Sequence, residues 1–247
     1  MRRAVRHPSN HLLAALSGRD YQRLQPRLEA VSLRTGETLD EPGAASRHVY
    51  FPNDTLISLI AVSDGRDRVE VGLVGREGMV GCLLALGVPS SPVRAVVQVR
   101  GSALRMPAAA FVAEVERNRP LRREALCYAH LTAATAMQIA ACNSAHHLEA
   151  RLARRLLMTR DRLSTNTFAL TQDMLAQVLG ARRATVSRAA ATLQNGKLIS
   201  YQRGVVRILD IDALRIVSCS CYEIIRSADV RRRSDLKNDK HGRSAAT

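Results

Sequence analysis

Apolar positions recur along this chain with more than one period. Near the N-terminus Leu12, Leu13, Leu16 and Leu24 are spaced like the buried stripe of a short amphipathic helix. From Val31 to Met106 the pattern changes to short runs, SLRTGETL, HVYFP, LISLIAV, RVEVGLV and VRAVVQVRG. Turn residues separate them at Gly36, Pro42-Gly43, Pro52-Asn53-Asp54, Asp64-Gly65 and Gly75-Arg76-Glu77-Gly78. Short strands with regular turns predict a β sandwich or barrel. Within it, Leu56 to Val62 and Val69 to Val74 read as one hairpin around Ser63-Asp64-Gly65-Arg66.

Pro107 then opens a helix through Val115, and Pro120 opens another that runs without Gly or Pro to about Ser144. At ~1.5 Å per residue the second is long enough to link two halves of a molecule. Its middle, HLTAATAMQIAAC, is rich in alanine and threonine, and Leu126, Ala133, Met137 and Ala140 fall on one side of the helix. Small side chains at a 3.5-residue period predict a parallel homodimer seam, the alternative being a helix packed only on its own barrel. His146-His147 marks a joint, and Leu148 to Arg162 forms the next helix.

Leu170 to Ile199 carries the clearest local signals. Thr171 is a capping residue and Asp173 sits in the first turn, where the helix dipole favours an acid. Leu175, Val178 and Leu179 form the apolar stripe, and Gly180 supplies the positive-φ residue that ends the helix. A second helix begins near Arg182, with Val186, Ala190 and Leu193 inward and Arg183, Ala184, Ser187 and Arg188 outward. Lys197 to Asp212 alternates on both sides of Arg203-Gly204, the signature of a hairpin that carries Arg203 and Arg207. A short basic helix face held by a tight turn fits the major groove, where arginine presents a bidentate fork to guanine. A pair of packed helices with solvated arginines is the bland alternative.

Composition supports a polyanionic partner. The 247 residues carry a net charge of +15 and are 46% hydrophobic, enough for one large or two ordinary cores. Part of that charge lies in the tail from Arg231 to Arg243, read as a disordered end. No uninterrupted apolar run approaches ~18 residues, so a cytoplasmic protein without a membrane span is expected. The five cysteines, Cys82, Cys127, Cys142, Cys219 and Cys221, are odd in number and scattered, which disfavours a disulfide framework. Gly75-x-x-Gly78-x-x-Gly81 is not followed by a helix pattern. No catalytic ordering, metal-ligand cluster or nucleotide loop stands out, which argues against an enzyme.

The segment from Leu170 resembles the DNA-binding domain of the Crp/Fnr family of bacterial transcription regulators. The family's R-x-T-V-S-R opening of the recognition helix is matched by Arg183, Thr185, Val186, Ser187 and Arg188. The resemblance extends more loosely over residues 12 to 226. It implies an α+β protein: an N-terminal β-roll (jelly-roll-like) sensor domain over 1–119, a dimerisation helix over 120–147, a winged helix-turn-helix domain over 148–228 and a basic tail over 229–247. It also implies a homodimer on a pseudo-palindromic double-stranded DNA site. Arg183 and Arg188 would read bases with Ser187 near them, and Thr185 would touch phosphate. Thr171, Gln172, Arg182 and Arg203 complete the candidate contact set. The acid that many members carry between arginine and threonine is Ala184 here, so a carboxylate partner for a cytosine amine is missing. Activation would call for a surface for RNA polymerase, and no motif marks one. A ligand-binding signalling protein that acts through protein contacts is the competing class.

The family's cyclic-nucleotide cassette pairs Gly-Glu with Arg-Ser or Arg-Ala. Its nearest match is Gly81-Cys82 and Arg94-Ala95, which keeps the arginine and loses the carboxylate. These four are the candidate effector residues, for a small anionic or nucleotide effector other than cAMP in its usual contacts. Arg94 either binds another anion or stands on a polar strand face. Glu77 is read as a solvated turn residue. No cysteine precedes Cys82, which disfavours the family's iron–sulfur sensors. His130 is the candidate haem ligand, Cys82 an oxidisable or buried thiol, and Cys219-Ser220-Cys221, lacking a partner pair, a weak metal signal better read as packing against the hairpin.

Overall fold

Asn10 organises the start of the described chain, which in this computed structural model comprises residues 8–63 and 67–244. Its side-chain oxygen accepts from the N–H groups of Leu12 and Leu13, capping α1 (His11–Ala14). Its amide donates to the carbonyls of Pro52 and Gly78 at 3.0 and 2.8 Å. Ser17 caps α2 (Gly18–Leu24) in the same way. Leu12, Leu13, Leu16 and Leu24 are all buried, as their spacing predicts.

Seven strands follow: β1 (Glu29–Leu33), β2 (Thr38–Asp40), β3 (His48–Pro52), β4 (Leu56–Ser63), β5 (Asp67–Val74), β6 (Arg94–Val99) and β7 (Gly101–Pro107). They form two antiparallel sheets with strand orders β1-β7-β3 and β2-β6-β4-β5. Val49, Phe51, Ile57, Val97 and Ala103 lie in the core of this roll. The β4–β5 hairpin appears where the alternation places it; its turn residues 64–66 lie outside the described residues. Strand β7 is absent from the sequence reading because it buries only Ala103 and Met106, too sparse an alternation to announce a strand.

Helix α3 (Ala108–Arg117) leads to α4 (Arg119–Ala145), whose start is capped by Asn118 and carries Pro120. By length and composition α4 is apolar enough to cross a membrane. In this fold one side of it packs on the roll through Leu121, Ala125, Tyr128 and Leu131. The opposite side exposes His130, Ala133, Met137, Ala140 and Ser144.

The joint falls where expected. α4 ends at Ala145, His146 is extended, and α5 (Leu148–Leu163) begins after His147. Then come β8 (Thr167–Ala169), α6 (Gln172–Leu179), α7 (Arg183–Asn195), β9 (Ile199–Gln202), β10 (Val205–Ile208), α8 (Ile211–Val217) and α9 (Cys221–Ser244). β8 joins the predicted hairpin in a small sheet of order β8-β10-β9. At three residues it is too short to show a period.

Two sequence expectations fail here for the same reason, long-range ion pairing. The chain from 229 is not a disordered tail: α9 continues to Ser244, and Arg232 is buried against the roll. Its guanidinium lies 3.5 Å from Glu124, donates to the Glu77 carbonyl at 3.1 Å and sits 5.6 Å from the Tyr128 ring centroid. Glu77 is not a solvated turn residue either. It is buried, pairs with Arg162 of α5 at 2.9 Å, and accepts from the Gly75 N–H. Deeper in the same seam, Arg155 of α5 meets Glu70 of β5 at 2.7 Å, with both side chains at 4% exposure or less.

The Gly75-x-x-Gly78-x-x-Gly81 repeat has a packing explanation at its central residue. A Cβ on Gly78 would lie 1.8 Å from the Tyr128 ring, so only glycine lets the turn reach α4. Gly78→Ala is expected to destabilise the protein by about 1–3 kcal/mol through forced displacement of that ring. A chemical-denaturation midpoint unchanged from the parent would contradict this close approach.

Candidate nucleic-acid interface

The residues singled out in the C-terminal half converge on one surface. Thr171 caps α6 by accepting from Met174, Asp173 stands in the first turn, and Gly180 ends the helix at φ 58°. After one tight turn Arg182 takes the N-cap position of α7 without a side-chain capping bond, and on this helix Val186, Ala189, Ala190 and Leu193 are buried. Arg182, Arg183, Ala184 and Arg188 are exposed, and Thr185 and Ser187 are half-buried between them. This is the division of faces expected of a helix that packs on one side and reads on the other.

A hydrogen bond ties the two helices together at this exposed edge. The Ser187 hydroxyl lies 2.7 Å from the Gln172 side-chain oxygen and 3.0 Å from the Arg183 carbonyl. With its oxygen occupied by Ser187, Gln172 keeps its amide N–H groups free to point outward as donors. Arg183 lies 3.3 Å from Asp173, but both are about two-thirds exposed, so the pair is weak and easily exchanged for a stronger anion.

The wing turns through Arg203 and Gly204, both at positive φ (49° and 75°), the geometry of a two-residue hairpin turn. Leu170 donates to the Gly204 carbonyl at 2.8 Å, which sets the turn beside the Thr171 cap. The Tyr201 hydroxyl donates to the Leu170 carbonyl at 2.7 Å, and burial pushes its pKa up to about 12, so it stays a donor. Thr171, Gln172, Arg183, Ser187 and Arg203 are therefore neighbours. Arg182, Thr185 and Arg188 belong to the same α7 turns. Arg207 on β10 is exposed as well.

In the roll, a cavity of about 230 Å³ opens between the sheets and α4. Gly81 and Cys82 line it, together with Leu59, Met79, Leu84, Thr132 and Ala136. Arg94 and Ala95 do not. Arg94 is held by Glu41 at 2.8 Å, and Ala95 is a buried core residue. No Lys or Arg belongs to the lining among the described residues, and its one carboxylate, Asp40, accepts from the Ser46 hydroxyl at 3.1 Å. Burial raises the Asp40 carboxyl above its usual range, against the lowering effect of Ser46. Desolvation pushes the Cys82 thiol up to about 11, which makes it a poor nucleophile at neutral pH. His130 is exposed on α4 and does not line the cavity, so the haem-ligand reading has no geometry behind it.

Residues 150–216 match the family model of the Crp-like helix-turn-helix domain. The fold is similar to that of FixK2 from Bradyrhizobium japonicum, with 17% identity, 78% of this chain and 98% of that one covered, and a TM-score of 0.67. It is also similar to CLP, the c-di-GMP responsive global regulator of Xanthomonas campestris, with 15% identity, coverage of 78% and 100%, and a TM-score of 0.59. A CRP/FNR-family transcriptional regulator from Thermus thermophilus aligns at 18% identity over 77% and 98%, with a TM-score of 0.57. No curated protein sequence matches the chain. The molecule thus combines a β-roll, a long helix and a Crp-like helix-turn-helix domain. More narrowly, its fold is that of the Crp/Fnr-type regulators, and the segment matched as a Crp-like helix-turn-helix domain runs from the first turn of α5 to the last turn of α8.

Proposed function

We propose that the protein is a homodimeric, sequence-specific DNA-binding regulator that reads a pseudo-palindromic operator with two copies of α7. The observation that carries this reading is the α7 face itself. Three exposed arginines surround Ala184 at its start, Ser187 braces Gln172 beside them, and the Arg203 turn stands at the α6 cap. Arginine forks at such an edge recognise guanine, while the wing and the α6 start grip phosphate. With Ala184 in place of an acid, the half-site would not carry a carboxylate–cytosine contact at that position.

The operator is obtained by selecting bound sequences from a random DNA pool. Arg188→Ala is then expected to lose about 1–3 kcal/mol of specific binding and to relax one base position in each half-site. Fluorescence anisotropy on the selected and on scrambled duplexes at two salt concentrations measures both effects. Equal binding of parent and variant to both duplexes would remove α7 as the reader.

For the sensor half, the cavity lining supports an uncharged, largely apolar effector that donates a hydrogen bond to the Asp40 carboxylate or the Thr132 hydroxyl oxygen. An anion would enter a site with a carboxylate and no cation to receive it. Because α4 contributes Ala129, Thr132 and Ala136 to the lining, a ligand there would bear directly on the helix that carries the joint.

A further inference from the structure

We propose that Cys142, His146, Cys219 and Cys221 form a zinc site that pins the end of the long helix to the junction of the two C-terminal helices. The four come from distant parts of the sequence. Cys142 lies in the last turn of α4, His146 is its extended cap, and Cys219 and Cys221 bracket the step from α8 into α9. Cys219 and Cys221 do not pack on the hairpin; with Cys142 they form a separate small cluster against Ala150. One potential ligand atom from each of the four residues lies within 4.8 Å of all the others. The two sulfurs of Cys142 and Cys219 are 3.3 Å apart, and the Cys221 sulfur is 3.7 Å from His146 Nδ1.

A tetrahedral zinc ion with Zn–S near ~2.3 Å and Zn–N near ~2.0 Å sets its ligand atoms roughly 3.5–3.8 Å apart. The Cys221–His146 pair at 3.7 Å already matches that spacing, the Cys142–Cys219 pair at 3.3 Å needs to open by roughly 0.5 Å, and the widest needs to close by about 1 Å. Three thiolates and one imidazole fill all four positions, the donor set of a closed structural site with no place for substrate. The three cysteines are buried and His146 is half-buried, which fits a site shielded from water.

The surroundings supply the charge and the orientation such a centre needs. Zinc with three thiolates carries one net negative charge. Arg151 and Arg154 of α5 both lie within electrostatic reach of Cys142 and Cys219. Arg154 is only 3% exposed, its Nε has no hydrogen-bond partner, and among the described residues no carboxylate pairs with it. A buried guanidinium without a counter-charge is strongly unfavourable, and the anionic centre would supply that charge. The Gln138 amide donates to the Cys221 sulfur at 3.1 Å, an outer contact of the kind that orients a ligating thiolate. Arg151 also donates to the Leu179 carbonyl at the end of α6, which links the site to the helix-turn-helix turn. The metal would thereby fix the angle at His146-His147 between the long helix and the reader.

The test uses the full-length protein, purified under reductant, stripped with a chelator and titrated with Co²⁺ and then Zn²⁺. The expected result is about one metal per chain, with thiolate-to-cobalt charge transfer and the intense d–d bands of tetrahedral coordination. Zn²⁺ should bleach those bands. Cys219→Ser should lose the spectrum and Cys127→Ser, outside the cluster, should keep it. Gln138→Ala should weaken metal binding ~10- to 100-fold. His146→Ala, which retains all three thiols, should keep the charge transfer with weaker affinity, and it decides the matter should Cys219→Ser not fold. A weak six-coordinate spectrum in the parent would overturn the proposal. So would a spectrum indifferent to both substitutions, or a Cys142–Cys219 disulfide whose reduction yields no metal binding.

Discussion

Glu70→Ala is expected to cost about 3–5 kcal/mol of stability, because it strands Arg155 in the interior. Arg155 is 1% exposed and Glu70 4%, and their charged atoms lie 2.7 Å apart. Glu70 also accepts from the Ser58 hydroxyl and Arg155 donates to Thr159, so the pair completes a chain of polar groups across the seam. Removing the carboxylate leaves a guanidinium with one hydroxyl partner, and desolvation already pulls its pKa below the ordinary arginine value. Restoring an apolar match should reverse most of the loss: Glu70→Leu with Arg155→Met is expected to unfold within about 1 kcal/mol of the parent or above it. Urea-unfolding midpoints of the single and double variants measure the difference. A single-variant loss below about 1 kcal/mol would show that the pair behaves like a solvated surface bridge.

The location of this pair gives the prediction a functional side. Glu70 belongs to the roll and Arg155 to the Crp-like helix-turn-helix domain. Glu77–Arg162 repeats the arrangement nearby, and Glu124–Arg232 joins α4 to α9. Two carboxylate–arginine pairs therefore hold the roll against the helix-turn-helix domain, and a third ties the long helix to the last one. An ionic seam of this kind fixes a relative orientation more sharply than apolar packing alone, since a small slip costs both pairing and solvation.

How much of this was legible in the sequence follows from the range of the contacts involved. The helix-turn-helix could be read residue by residue because its signals are local: the Thr171 cap, the positive φ of Gly180, the inward Val186, Ala190 and Leu193, and the turn at Arg203-Gly204. The roll was legible as a set of strands, but β7 and β8 were not, since pairing partners rather than periodicity define them. Glu77 and Arg232 looked like solvated charges because their partners lie on α5 and α4, far away in the chain. The cavity lining was half legible. Gly81 and Cys82 reach it, but Glu41 draws Arg94 away, and only the folded structure shows that pairing. The thiol cluster was missed for the same reason, with Cys142 and Cys219 separated by 77 positions in the sequence. A signal was nonetheless present: Cys142 and His146 at an i, i+4 spacing near a helix end, and Cys219 and Cys221 two apart, are each half of a ligand set.

Met137→Glu is expected to abolish the proposed dimer and, with it, high-affinity operator binding. On α4 the half-buried Leu126 and the exposed His130, Ala133, Met137, Ala140 and Ser144 follow alternating spacings of four and three, the a/d rhythm of a two-stranded coil. Met137 is 72% exposed in the single chain, an unusual degree for a methionine at the centre of an apolar stripe. In a parallel pair about a twofold axis the two copies of residue 137 meet across the seam, so glutamate would set two like charges against each other in a desolvated interface. The side chain points away from the roll, so thermal stability of the single chain should change by less than about 0.5 kcal/mol. Sedimentation velocity should then report a monomer. Each α7 would bind its half-site alone, forfeiting the ~10²- to 10⁴-fold gain that tethered half-sites provide, and the salt slope of binding should fall by about half. A variant that still sediments as a dimer and holds the operator as tightly as the parent would place the dimer seam elsewhere on the molecule.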